Sequence, residues 1–213
     1  ATQHMISLFG DGFLKTWNTL NSNKFPLIIG GDHTVAISSI FASNEYTKMN
    51  REKLGVLWCD AHADFNTMET SESKNIHGMP VSILCGDTLP ILANGPPLDY
   101  YQFGFYGLRD LDSLEFYRFQ ENNMKIIDSD NEFDEWANLF DKIHVSFDID
   151  CLDPSAFSSV NTPVKNGKSV SDLKNIFRKV KNTGKLMSID IVEYNPELGE
   201  DVDIIIDILK TLF

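Results

Sequence analysis

Leu54-Gly55-Val56-Leu57-Trp58-Cys59-Asp60-Ala61-His62-Ala63-Asp64 runs from an apolar segment straight into three ligand-type side chains at alternate positions. Read as a strand with a period of two, it turns Asp60, His62 and Asp64 to one side. Two further apolar runs end in the same manner. Ile143 to Phe147 leads into Asp148-Ile149-Asp150, and Phe25 to Ile29 leads into Gly30-Gly31-Asp32-His33. Three strand ends then offer carboxylates and imidazoles at one rim, the place where open α/β sheets bind ligands.

Strand-like and helix-like segments alternate around these runs. Helices are expected at Ser7 to Leu20, Thr34 to Tyr46, from Pro80 to Leu84, Ser113 to Asn122, Phe133 to Phe140, Val170 to Thr183 and Val202 to Phe213. Strands are expected at Phe25 to Gly31, Leu54 to Asp60, Phe103 to Leu108, Met124 to Asp128 (weaker), Ile143 to Asp150 and Leu186 to Glu193. Such alternation predicts an α/β fold, a mostly parallel sheet covered by helices on both faces in three αβα layers. Ala1 to Met5 read as irregular. The longest polar loops, Asp64 to His77 and Asp153 to Lys168, follow predicted strands and suit substrate binding.

The chain of 213 residues with 42% hydrophobic content supports one sizeable core, and residues 1–213 read as one domain without repeats or a linker. A net charge of -13 argues against a nucleic-acid partner, which calls for a basic face. No run reaches the ~20 apolar residues of a membrane span, and no signal pattern opens the chain. Cys59, Cys85 and Cys151 are odd in number and lack CxxC spacing. They suit a reducing compartment, so the expectation is a cytoplasmic protein without membrane contact.

His33, Asp60, His62, Asp64, Asp148 and Asp150 converge if the three strands are neighbours, and six groups are too many for one ion. Each alone is unremarkable, since Asp at a strand end is usually a cap or turn former. Together, unneutralised aspartates would repel one another and gain stability only by binding cation or proton. Carboxylates with imidazoles favour hard or borderline divalent ions such as Mn²⁺. A bridged pair ~3.5–4 Å apart would activate a shared water at neutral pH.

Gly30-Gly31-Asp32-His33, Asp60-Ala61-His62-Ala63-Asp64, Ser146-Phe147-Asp148-Ile149-Asp150-Cys151-Leu152-Asp153-Pro154 and Val192-Glu193-Tyr194-Asn195-Pro196 resemble, in order and spacing, the ureohydrolases and in detail the arginases. The resemblance extends from about Leu8 to the end of the chain. It implies two Mn²⁺ per subunit, the first held by His33, Asp60, Asp64 and Asp148, the second by Asp60, His62, Asp148 and Asp150. It further implies attack of a metal-bridging hydroxide on L-arginine to give L-ornithine and urea, in arginine metabolism of the urea-cycle kind. A homo-oligomer, a trimer, is expected from the same source.

By resemblance, Glu193 anchors the guanidinium, His77 relays protons to the leaving amine and Asp64 belongs to the catalytic set. A carboxylate suits Glu193's task because it can accept two parallel N–H bonds, and imidazole suits His77's because it titrates near neutral pH. The plainer readings are a surface salt bridge for Glu193 and an idle loop histidine for His77. Asn66, Ser71 and Ser73 match positions that bind the α-carboxylate, and Thr162 matches a further substrate contact. Asp112 and Glu115 match the acidic pair near the α-amino group, or equally form a helix N-terminus.

The chain departs from the family's pattern at Lys74, Cys151 and Asn161, each where Gly is usual. Lys74 would either add charge for a carboxylate or shift the loop. The family's opening strand and helix are also expected to be missing, which would leave one sheet edge open. Two other readings stay open: a ureohydrolase for another guanidine, of the agmatinase or guanidinobutyrase type, and a metal-binding homologue without catalysis.

Overall fold

The structure, a computed structural model, describes residues 2–199 and 202–213. Among the described residues, six parallel strands form one sheet: β1 (Leu27–Ile29), β2 (Leu54–Cys59), β3 (Phe103–Tyr106), β4 (Lys125–Ile126), β5 (Lys142–Asp148) and β6 (Leu186–Val192). Their order is β1-β6-β5-β2-β3-β4. The helices are α1 (Thr2–Asn21), α2 (Val35–Met49), α3 (Pro80–Cys85), α4 (Ser113–Glu121), α5 (Asp130–Ala137), α6 (Val170–Thr183) and α7 (Asp203–Leu209). Every residue of β2 is buried, as expected of a parallel strand covered on both sides.

Alternate residues of β2 divide the core. Leu57 and Cys59 join Phe133 and Trp136 of α5, Leu173, Ile176 and Phe177 of α6, and Ile205 and Ile208 of α7. Leu54, Val56 and Trp58 join Phe9 of α1, Ile37, Ile40 and Phe41 of α2, Ile83 and Leu84 of α3, and Phe119 of α4. This is the predicted three-layer arrangement. In α6 the buried set Leu173, Ile176, Phe177 and Val180 follows the helical period. Ser169 and Asp172 form a capping box at its start, and Gly184 closes it in the left-handed conformation at φ 66°. Such a cap stabilises by about 1 kcal/mol. Gly55 and Gly104 leave room for aromatic rings from α5 and the turn after it. A Cβ at Gly55 would stand 2.5 Å from Phe140, and one at Gly104 would stand 2.9 Å from Trp136.

Several expectations need correction. α1 begins at Thr2 rather than Ser7, so Thr2 to Met5 are helical, and Ala1 lies outside the described residues. β1 is only three residues long, with Leu27 and Ile29 exposed by 51% and 78%, and it pairs with β6 alone. α5 starts at Asp130, three residues before the expected Phe133, because Ser129 accepts the Glu132 N–H and caps it there. Most consequentially, β6 separates β1 from β5, so the three ligand-bearing strands are not all neighbours. No helix of the described residues is long and apolar enough to cross a membrane.

Candidate metal centre

His33 reaches the centre because the turn after β1 folds over the end of β6. The Glu193 N–H donates to the Gly31 carbonyl at 2.8 Å, and the His33 N–H donates to Glu193 Oε1 at 2.9 Å. His33 Nδ1 then lies 3.0 Å from Asp60 Oδ2, 3.2 Å from Asp64 Oδ2 and 3.3 Å from Asp148 Oδ2. His62 Nδ1 lies 3.3 Å from Asp60 Oδ1 and 3.0 Å from Asp150 Oδ2. Ligand atoms therefore gather in two groups, His33, Asp60 and Asp148, and Asp60, His62 and Asp150, with Asp60 turning one oxygen to each. Asp148 stands with the first group, and its Oδ1 accepts the Asp150 N–H at 2.8 Å.

Electrostatics state what this cluster is suited to hold. Burial and the neighbouring Asp60 charge push the Asp64 carboxyl up to about 6, and they raise Asp148 and Asp150 as well. Burial opposes charge on His62, yet hydrogen bonds to Asp150 and Asp60 raise it to about 12. Asp60 is also disfavoured by burial, but His33 and His62 hold it well below the usual carboxylate range. The carboxylates thus recruit positive charge from whatever is near. His33 Nδ1 is buried with no well-aligned hydrogen-bond partner and faces three carboxylates, which raise the imidazole well above its ordinary value against the cost of burial, so positive charge is favoured at this spot. Four carboxylates and two imidazoles fit a pair of hard or borderline divalent ions.

A cavity of about 110 Å³ opens onto the cluster, lined by His33, His62, Asp64, Asp148 and Asp150 and also by His77, Thr162 and Glu193. Glu193 (φ 65°) and Asp64 (φ 49°) both hold left-handed backbones, a strain of about 1 kcal/mol each that clusters at functional sites. Burial raises the Glu193 carboxyl, partly countered by the His33 N–H. His77 sits in the 3₁₀ turn Ile76–Gly78. Thr162 Oγ1 donates to Asp150 Oδ2 at 3.1 Å, so it also orients a cluster carboxylate.

The remaining expected contacts do not line this cavity. Asn66 Nδ2 donates to Asp112 Oδ2 at 2.9 Å, and its Oδ1 accepts from Thr70. Ser71 and Ser73 accept the N–H groups of Lys74 and Asn75. Asp112 caps α4, so its helix-cap reading holds while it also ties down Asn66. Glu115 is buried and accepts the Phe65 N–H at 2.8 Å. Burial pushes its carboxyl up to about 8. Lys74 adopts φ 58° and sends its ammonium to the Met68 carbonyl at 2.7 Å, so it braces the loop.

Sequence reading passed over several supports. Trp58 Nε1 donates to Asp60 Oδ2 at 3.0 Å, and its ring stacks on His33 with centroids 4.0 Å apart. Asp110 Oδ2 lies 3.6 Å from His62 Nε2. The Arg109 guanidinium reaches the carbonyls of Asp150, Val164 and Gly107 at 2.7 to 2.8 Å. The period of two that exposed Asp60 also points back to Trp58, and no comparable local signal marks Arg109.

The Arginase family model matches residues 14–210. An arginase of Neurospora crassa is 37% identical over 204 residues, covering 85% of this chain and 56% of its own length. One from Bacillus subtilis is 34% identical over 200 residues, covering 86% of this chain and 66% of its own. The chain therefore spans less than two thirds of these relatives' length. Among solved structures, Bacillus caldovelox arginase superposes with a TM-score of 0.90 at 28% identity, covering 100% of this chain and 76% of that one. Entamoeba histolytica arginase in complex with L-ornithine gives 0.89 at 28% identity, with coverage of 100% and 77%.

Proposed function

Because the chain belongs to the arginase family, we propose that it hydrolyses the guanidinium group of L-arginine to L-ornithine and urea at a pair of manganese ions. The observation that carries this reading is Asp60, whose two oxygens face two separate histidine-carboxylate groups at the floor of one cavity. His33, Asp60, Asp64 and Asp148 would hold the first ion, and His62 and Asp150, with Asp60 and Asp148, the second. Two such ions, when bound, supply Lewis-acid activation of water at neutral pH.

The chain's own residues do the rest. Glu193 receives the guanidinium, and its Oε1 is held by the His33 N–H, which fixes the carboxylate plane before substrate arrives. Two parallel N–H bonds to a fixed carboxylate orient the planar cation. His77, which lines the same cavity, gives a proton to the amine nitrogen as the carbon–nitrogen bond breaks. Asn66, Ser71 and Ser73 recognise the α-carboxylate, and Asp112 with Glu115 the α-amino end. The reading extends to a cytoplasmic homo-oligomer, a trimer, acting in arginine metabolism.

A second reading, hydrolysis of a guanidine without the amino-acid head, draws support from Asn66, whose amide is engaged with Asp112 and Thr70. Urea release on arginine and on agmatine, with added Mn²⁺ and with metal content measured on the same sample, separates the two. Asp148→Ala is expected to lose metal and turnover together. Full activity in that variant would refute the role given to Asp148.

A further inference from the structure

Behind the metal centre lies a buried polar row that the proposed chemistry leaves unused. Trp58 of β2, Ser146 of β5 and Asp190 of β6 stand in register across the sheet, under α2. His33 Nε2 meets Ser146 Oγ at 2.8 Å, and Ser146 Oγ donates to Asp190 Oδ1 at 2.6 Å. Asp190 Oδ2 meets His144 Nε2 at 2.7 Å and accepts from Ser39 Oγ at 2.9 Å. His144 Nδ1 in turn meets Ser188 Oγ at 2.7 Å. His144, Ser146, Ser188 and Asp190 are all fully buried.

Hydrogen-bond direction follows from the charge at the far end. Burial would raise the Asp190 carboxyl, but the charge and hydrogen bond of His144 hold it below its ordinary value. It is therefore an anion that only accepts. Ser146 has one proton and gives it to Asp190, so its oxygen can serve His33 only as an acceptor. That places a hydrogen on His33 Nε2 and directs Nδ1 to the carboxylates, where it has no hydrogen-bond partner.

We propose that Asp190, balanced by His144, is a positioning residue that acts through Ser146 to fix the ring orientation and tautomer of His33 and so sets the affinity of the first metal position. The inference rests on the metal pair put forward above. It assigns work to a carboxylate that touches neither ion nor substrate. Partners of this kind commonly change metal affinity 10- to 100-fold.

Two measurements test it, with Mn²⁺ alone as the probe. Free Mn²⁺ is followed by electron paramagnetic resonance during titration of the wild type, Ser146→Ala and Asp190→Asn. One of the two ions is expected to weaken 10- to 100-fold in Ser146→Ala while the other stays within about threefold. Asp190→Asn should show the same one-sided loss. Ser146→Ala, a small truncation, keeps the test open if the buried Asp190 variant does not fold. Separately, ¹⁵N spectra of the metal-free wild type should show a slowly exchanging proton on His33 Nε2, which exchanges faster in Ser146→Ala. A bare Nε2 in the wild type, or both ions bound by Ser146→Ala as tightly as by the wild type, overturns the inference. Failure of the wild type to take up Mn²⁺ would instead overturn the metal pair, and the Nε2 proton would still decide the orientation claim.

Discussion

Replacing Arg109 by Leu should loosen one loop and, through it, one metal position. The five N–H groups of the guanidinium lie within reach of six carbonyls, the longer contacts sharing hydrogens: Gly107 at 2.8 Å, Asp150 at 2.7 Å, Val164 at 2.8 Å, Lys165 at 3.2 Å, and Cys151 and Leu152 at 3.3 Å. All but Gly107, which follows β3, belong to the segment that carries Asp150 and Thr162. The three short bonds dominate, since a charge-assisted bond contributes roughly 1.5–3 kcal/mol. Arg109 is half-buried, so water replaces part of what is lost. The expected loss is about 3–4 kcal/mol after that discount. Lys has a single ammonium in place of a planar fork and should recover less than half. Urea unfolding with chelator present measures the effect without metal linkage. A companion Mn²⁺ titration should show weakening confined to the ion held by His62 and Asp150. A Leu variant within about 1 kcal/mol of the wild type, or equal weakening of both ions, would refute the clamp.

Other expectations follow from single features. Glu115 titrates at about 8 in the fold against 4.5 for a free carboxyl, so the folded chain holds a proton that the unfolded chain releases. Stability should therefore fall as pH rises between those values. Glu115→Gln keeps an acceptor for the Phe65 N–H and should flatten that slope by up to a few kcal/mol in metal-free unfolding curves; parallel curves for both proteins would count against it. Gly104→Ala forces a Cβ to 2.5 Å from Ile127 and should lower stability by about 1–3 kcal/mol. Gly10→Ala, in α1 with nothing within 4 Å, should raise it by about 0.5–1 kcal/mol, and thermal melts of the pair give the contrast. Mn²⁺ at a hundredfold its Kd should add about 2.7 kcal/mol per occupied position, and a melting temperature indifferent to Mn²⁺ would contradict the site.

Residues 54–64 were legible because strand period and ligand chemistry coincide there, and β2 and β5 were correspondingly placed within two residues. Edges were less so. β1 and β4 have few apolar neighbours to bury against, and they shrink to three and two residues. Strand order is a property of the packed sheet that no local pattern records, so the passage of His33 over β6 was invisible. Asp190 and His144 were equally hidden. Each alternates with apolar residues along a buried strand, His144 two positions before Ser146 and Asp190 two after Ser188, and its meaning appears only when the two strands lie side by side. The Asp64 to His77 loop drew notice through its residue types. Its bonds, Asn66 to Asp112 at the start of α4 and Lys74 to Met68 within the loop, depend on a backbone path that composition does not dictate.

The stack of Trp58 on His33 gives the molecule its own optical gauge. Of three tryptophans, Trp17 belongs to α1 and Trp136 to α5, whereas Trp58 lies with its ring centroid 4.0 Å from the imidazole that would hold the first ion. A paramagnetic ion arriving beside that imidazole would shorten the excited-state lifetime of the indole above it. Loading of the first position would then appear as partial quenching of the tryptophan emission, with no label attached.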